Sequence, residues 1–295
     1  MLKEFKQLLG HTLLASIVLL LPWALAYAVL RFSTRFGFGK TEFESAAVAN
    51  MQRFGYAANT YLSIRQIRLH RLIDLADFYK SRWMTQSWLR RYWRVSGAPL
   101  PDAQQHPAVL FVTFHYGAGF WALRYFQQHQ LSMAALYRPP PRPKIGERFD
   151  YYFFWWRLRS IFRLTGTKPI RVGDQKSELS ALVRRLLQAR LPVGVMPDIP
   201  TAVDQAVVAD ILQHKIYFAT ALLRLAVKKN IPIVLYTSVL DLTDGGRNVH
   251  LQVLDEHTSV EDLAQVLADC LAAAIEKDPT AWHLWPWAHE IFKAP

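Results

Sequence analysis

One histidine is better placed than any other residue to do chemistry. His115 closes the apolar run Val109-Leu110-Phe111-Val112-Thr113-Phe114 and precedes Tyr116-Gly117-Ala118-Gly119-Phe120-Trp121. This pattern predicts a strand that turns through two glycines into a helix, and open α/β sheets bind ligands outside the carboxyl ends of their strands. An imidazole there titrates near neutral pH and can remove a proton from a hydroxyl group. Gly117 and Gly119 would let a substrate approach the backbone, and the N–H groups of the following helix start could face a developing oxyanion. The alternative reading is a hydrogen-bonded structural histidine. The chain has no Gly-x-Ser-x-Gly nucleophile elbow, so no covalent serine intermediate is implied.

Three arginines are candidates for substrate binding. Arg138 follows an apolar run and precedes Pro139-Pro140-Pro141, where its guanidinium would match phosphate geometry or simply be solvated. Arg157 and Arg159 follow six consecutive aromatics, Tyr151 to Trp156, which read as an interfacial membrane contact or as the wall of an acyl-chain groove. Cys270 is the only cysteine, so an intrachain disulfide or a thiolate cluster is excluded; no metal and no cofactor is expected.

The elements that must position these residues are legible as short apolar runs alternating with helical patterns: Val109 to Phe114, Met133 to Tyr137, Pro169 to Val172, Val193 to Met196, Ile233 to Val239 and Val249 to Leu254. Such alternation predicts an α/β fold, a central mixed sheet with covering helices, over residues 108–295. Residues 41–107 read as a basic amphipathic helical region, helical to about Arg94, followed by a Pro-containing linker. Thr12 to Leu30 holds nineteen uncharged residues, about the length that crosses a ~30 Å hydrocarbon layer, so residues 1–40 read as a membrane anchor. A cleaved signal peptide is the rival reading.

The chain carries 35 Lys+Arg against 23 Asp+Glu, a formal charge of +12. Residues 31–94 hold twelve of those basic residues and four acidic ones, which places them on the cytoplasmic side of a membrane and favours anionic partners. No recognised nucleic-acid motif accompanies the charge.

In order and spacing the chain resembles the late acyltransferases of lipid A biosynthesis, within the glycerolipid acyltransferase superfamily. The resemblance is carried by the apolar N-terminus, the strand ending at His115, the segment Leu136-Tyr137-Arg138-Pro139, the strand leading to Val195-Met196-Pro197-Asp198, the run Arg224-Leu225-Ala226 before Ile231, and the closing Pro279-Thr280-Ala281-Trp282 with Trp285 and His289. That family has an acid five positions after its histidine, where this chain has Phe120. Asp198 is the first candidate to replace it and Glu147 the second. Two further departures are Ile199, where the family has Gln, and Ile211-Leu212-Gln213 before Arg224. A literal His-x4-Asp string, His257 to Asp262, is set aside because Ser259 and Asp262 read as the capping box of a following helix.

The resemblance implies an acyltransferase of the bacterial inner membrane. It would move a fatty-acyl chain from an acyl carrier protein (or acyl-CoA) to a hydroxyl of a lipid or glycolipid, with His115 and Asp198 catalytic and Gly117, Gly119, Arg138, Arg157 and Arg159 binding substrate. Phe120 keeps an alternative open, a non-catalytic relative that binds lipid or acyl carrier.

Overall fold

The computed structural model describes residues 2–56, 59–100, 108–172, 191–201, 206–254 and 259–293. The chain opens with helices α1 (Leu2–Leu20), α2 (Trp23–Ser33), α3 (Glu44–Arg53), α4 (Thr60–Lys80) and α5 (Gln86–Tyr92). Strands β1 (Trp93–Gly97) and β2 (Leu110–Val112) follow, then α6 (Leu123–Gln128), β3 (Ala134–Tyr137), α7 (Arg148–Thr165), β4 (Ile170–Arg171) and β5 (Val193–Val195). The hairpin β6 (Ala206–Ile211) and β7 (His214–Ala219) leads to α8 (Thr220–Lys229), β8 (Ile233–Leu240), β9 (Arg247–Leu254) and α9 (Val260–Lys277). A short α10 (Ala288–Ile291) and β10 (Phe292–Lys293) close it.

The strands form a mixed sheet in the order β1-β9-β8-β2-β5-β3-β4, parallel throughout except for the β8–β9 hairpin. A smaller antiparallel sheet runs β10-β7-β6. The mixed sheet is covered on both faces, and the period of two along its strands divides the side chains between them. Leu110, Val112, Ile233 and Leu235 join the core under α8 and α9, while Val109, Phe111, Val234 and Tyr236 join the core under the N-terminal helices. All six expected strands are present.

The apolar N-terminus does not form one helix. Pro22 lacks an N–H and restricts Leu21, so the run breaks between α1 and α2. Among the described residues, no helix is long and apolar enough to cross a membrane. Instead Leu14, Val18, Trp23, Ala26, Tyr27 and Leu30 are buried in the core beside the sheet. The outer side of α1 leaves Phe5, Leu8, Leu9, Leu13 and Leu20 exposed. The basic stretch up to Arg94 also departs from a continuous helix, since α5 stops at Tyr92 and Trp93 begins a parallel strand beside β9. Two of its aromatic residues, Trp88 and Tyr92, pack on Trp23, while Tyr61 and Trp83 are exposed.

A buried ion pair fastens these helices to the sheet. Arg247, at the start of β9, and Asp77, on α4, are both fully buried; Arg247 Nε donates to Asp77 Oδ2 at 3.0 Å, and a second nitrogen reaches Asp77 Oδ1. The guanidinium also lies 4.6 Å from the Trp23 ring centroid and 5.8 Å from that of Trp88. One side chain therefore joins α2, α4, α5 and β9. Replacing Arg247 with Met would leave a buried carboxylate unpaired and is expected to cost about 3–5 kcal/mol. Urea unfolding of R247M against the D77N/R247M double variant checks this, with the double variant recovering part of the loss.

Candidate active site

His115 and Asp198 meet because the sheet brings them into register. β2 and β5 are parallel neighbours with Val112 opposite Val195, and each functional residue lies three positions beyond that pair. Asp198 is fully buried, while the His115 side chain keeps 29% exposure. The carboxylate accepts three N–H groups: the backbone N–H of His115 at 2.8 Å, His115 Nδ1–H at 2.9 Å and Trp282 Nε1–H at 3.0 Å. Because Nδ1 carries its proton toward Asp198, the lone pair of the neutral imidazole sits on Nε2. Burial opposes the charged imidazolium, but the attraction and hydrogen bond of Asp198 outweigh it and raise the His115 pKa above its ordinary value.

The C-terminal segment locks this geometry. Tyr116 and Trp282 form an antiparallel bridge, Gly117 N–H donates to Ala281 O at 2.8 Å, and His283 N–H donates to His115 O at 2.8 Å. His283 Nε2–H donates to Gly117 O at 2.7 Å, and burial lowers the pKa of this second imidazole, holding it neutral. Trp282 is itself fixed by stacking on Phe292 and by an edge contact with Trp285.

Gly117 is committed to this packing. Its φ is +56°, a Cβ would lie 2.2 Å from Ser238 O, and its N–H is already used. Replacing it with Ala adds an overlap with β8 to the ~1–3 kcal/mol of a strained non-glycine backbone. G117A should therefore lower the unfolding midpoint and displace His115, to be read by thermal denaturation and activity together. Gly119 opens a 3-10 turn, Gly119–Ala122, that also contains Phe120.

A cavity of about 320 Å³ abuts Trp282 and His283. Its other walls come from Glu44 on α3, from Arg71 and Asp74 on α4, and from Asp150 and Arg157 on α7. Arg157 donates to Asp74 Oδ2 at 3.1 Å, and Asp74 Oδ1 accepts Trp121 Nε1–H at 2.9 Å. Arg138 and Arg159 are exposed and do not line this cavity: Arg138 follows the carboxyl end of β3, and Arg159 lies two residues past Arg157, on a different side of α7. Glu147 is the N-cap residue of α7, where it accepts Lys144 N–H at 3.1 Å, and is not paired with His115. Ser259 caps α9 by accepting Asp262 N–H at 3.0 Å, whereas His257 lies outside the described residues. Nothing local in the sequence marks Asp74, Arg71 or His283, and Trp282 stands out there only as part of a C-terminal pattern.

The search of curated proteins gives no match. The family model described as bacterial lipid A biosynthesis acyltransferase matches residues 101–294, a span that holds His115, Asp198 and the Trp282 segment. Since this is well over half of the chain, the protein belongs to the bacterial lipid A biosynthesis acyltransferase family.

Proposed function

We propose that the protein transfers a fatty-acyl chain directly from a carrier thioester, that of an acyl carrier protein in preference to acyl-CoA, to a hydroxyl of a lipid or glycolipid. The observation that carries this reading is the His115–Asp198 pair, with Nδ1 engaged and Nε2 left as the base. His115 Nε2 takes the hydroxyl proton as the oxygen attacks the thioester carbonyl carbon. The tetrahedral intermediate then collapses, the carbon–sulfur bond breaks, and the thiolate takes the proton back from the imidazolium. Gly117 N–H being committed, the oxyanion donors are the N–H groups that open the 3-10 turn after it. Arg71 and Arg157 give the cavity a place for an acceptor phosphate. Arg138, past the carboxyl end of β3 and so at the same end of the sheet as His115, and Arg159 fit the acidic surface of a carrier protein.

The same reading places the protein on the cytoplasmic face of the inner membrane, with α1 lying in the headgroup layer. Support comes from the exposed Phe5, Leu8, Leu9 and Leu13, from Lys3 and Lys6 on the same helix, and from Tyr152 and Trp156 exposed on α7, which packs against α1. Incubating the purified full chain with an acyl-carrier thioester, an acyl-CoA and a lipid extract tests the reading. Release of carrier thiol together with an acylated lipid is the expected result. Thioester hydrolysis without any acylated lipid would contradict it.

A further inference from the structure

A second cavity, of about 640 Å³, lies between α2, the first half of α4, α5 and the loop joining β8 to β9. Arg31, Arg35, Arg65 and Arg91 line it, and its one carboxylate, Asp244, is held by Arg94. Among the described residues, none of these four arginines is paired with a carboxylate. Four like charges around one space repel each other unless an anion sits among them. Three of the guanidiniums lie over neighbouring rings, Arg35 over Phe32, Arg65 over Tyr61 and Arg91 over Tyr92, at 5.4 to 5.5 Å. Stacking fixes their planes and leaves their N–H edges to bind. Among the described residues, the buried Nε–H of Arg65 has no acceptor, a costly state for a donor on a charged group unless a ligand supplies one.

This cavity is separate from the one beside Trp282 and His283. On α4, Leu62, Arg65, Gln66 and Leu69 face the arginine cavity, whereas Ile67, Arg71, Asp74 and Leu75 face the other. At about 100° per residue the two stripes fall on opposite sides of the helix. Apolar surface adjoins the charges, since Phe32 and Phe36 are 56% and 75% exposed on the segment that carries Arg31 and Arg35.

We propose that the arginine cavity binds a phosphate group, and that the neighbouring apolar surface makes an anionic lipid its source in preference to free phosphate. Planar guanidiniums match phosphate oxygens in pairs, and several of them together favour a doubly charged group over a carboxylate. The proposal does not rest on the acyl-transfer reading, because it concerns the opposite side of α4.

Calorimetric titration of the purified full chain with short-chain phosphatidic acid, short-chain phosphatidylcholine and inorganic phosphate tests it. Saturable uptake of phosphatidic acid is expected, weakened at least about 10-fold in R65Q/R91Q and unchanged in H115A. R31Q/R35Q, which alters two exposed side chains on a different segment, should weaken it as well, so that a folding defect at Arg65 does not decide the outcome. Tighter binding of phosphatidic acid than of inorganic phosphate identifies the lipid as the source; equal binding keeps the phosphate site and assigns it to the free ion. Affinity unchanged in both arginine variants, or loss of uptake in H115A alone, overturns the proposal.

Discussion

Replacing Asp198 with Asn is expected to slow acyl transfer by about 10⁴-fold, the loss that follows when a catalytic imidazole is held in the wrong tautomer. The prediction follows from how the site would orient the new amide. Asp198 Oδ2 faces two fixed donors, the backbone N–H of His115 and the indole N–H of Trp282. The amide oxygen of Asn must take that position, which turns its NH2 toward His115 Nδ1. Nδ1 then has to accept, the imidazole proton moves to Nε2, and the base is lost although the side chains barely move. Nitrogen chemical shifts of His115 would report the exchange of tautomers alongside the loss of rate. A D198N protein that kept its rate and its Nδ1–H form would show that Asp198 does not set the protonation of His115.

Replacing His115 with Ala is expected to lower the rate on the order of 10⁴-fold or more, with the H115A/D198N double variant no slower than H115A alone, because residues that act as one unit are strongly non-additive. A structural role for His115 would give roughly independent losses in the two variants. The pH dependence has a definite sign. The base works in its neutral form, and burial favours that form, yet Asp198 stabilises the imidazolium more and raises the pKa above 6.5. kcat/KM of the wild type should therefore fall as pH drops through a value above that of a free imidazole, and this limb should vanish in H115A.

The parts of the fold that follow from hydrophobic period were legible in the sequence. The six apolar runs are strands because each has a buried face, and His115 stands where the β2 run ends. The β6–β7 hairpin was not legible. Its turn is Leu212-Gln213, both at positive φ without glycine or asparagine to announce it. β1 was hidden inside an Arg- and Trp-rich helical pattern, and its pairing with β9 spans about half of the chain.

The nineteen uncharged residues of the N-terminus illustrate a different limit. Counting apolar residues cannot tell hydrocarbon from a protein core, and Pro22, visible in the sequence, was outweighed by the length of the run. The candidate acid at Asp198 could be named but not placed from sequence alone, because its pairing with His115 depends on the register between β2 and β5. Asp74 and Arg71 carried no signal at all, since α4 reaches the site only through tertiary packing.

If His115, set by Asp198, is the base that activates a lipid hydroxyl for acylation, mass spectrometry of total lipids will reveal the product. Cells lacking the gene would be complemented with wild type, H115A or D198N at equal expression. One lipid is expected to gain an acyl mass with the wild type and with neither variant. Identical lipid profiles in all three strains would contradict it.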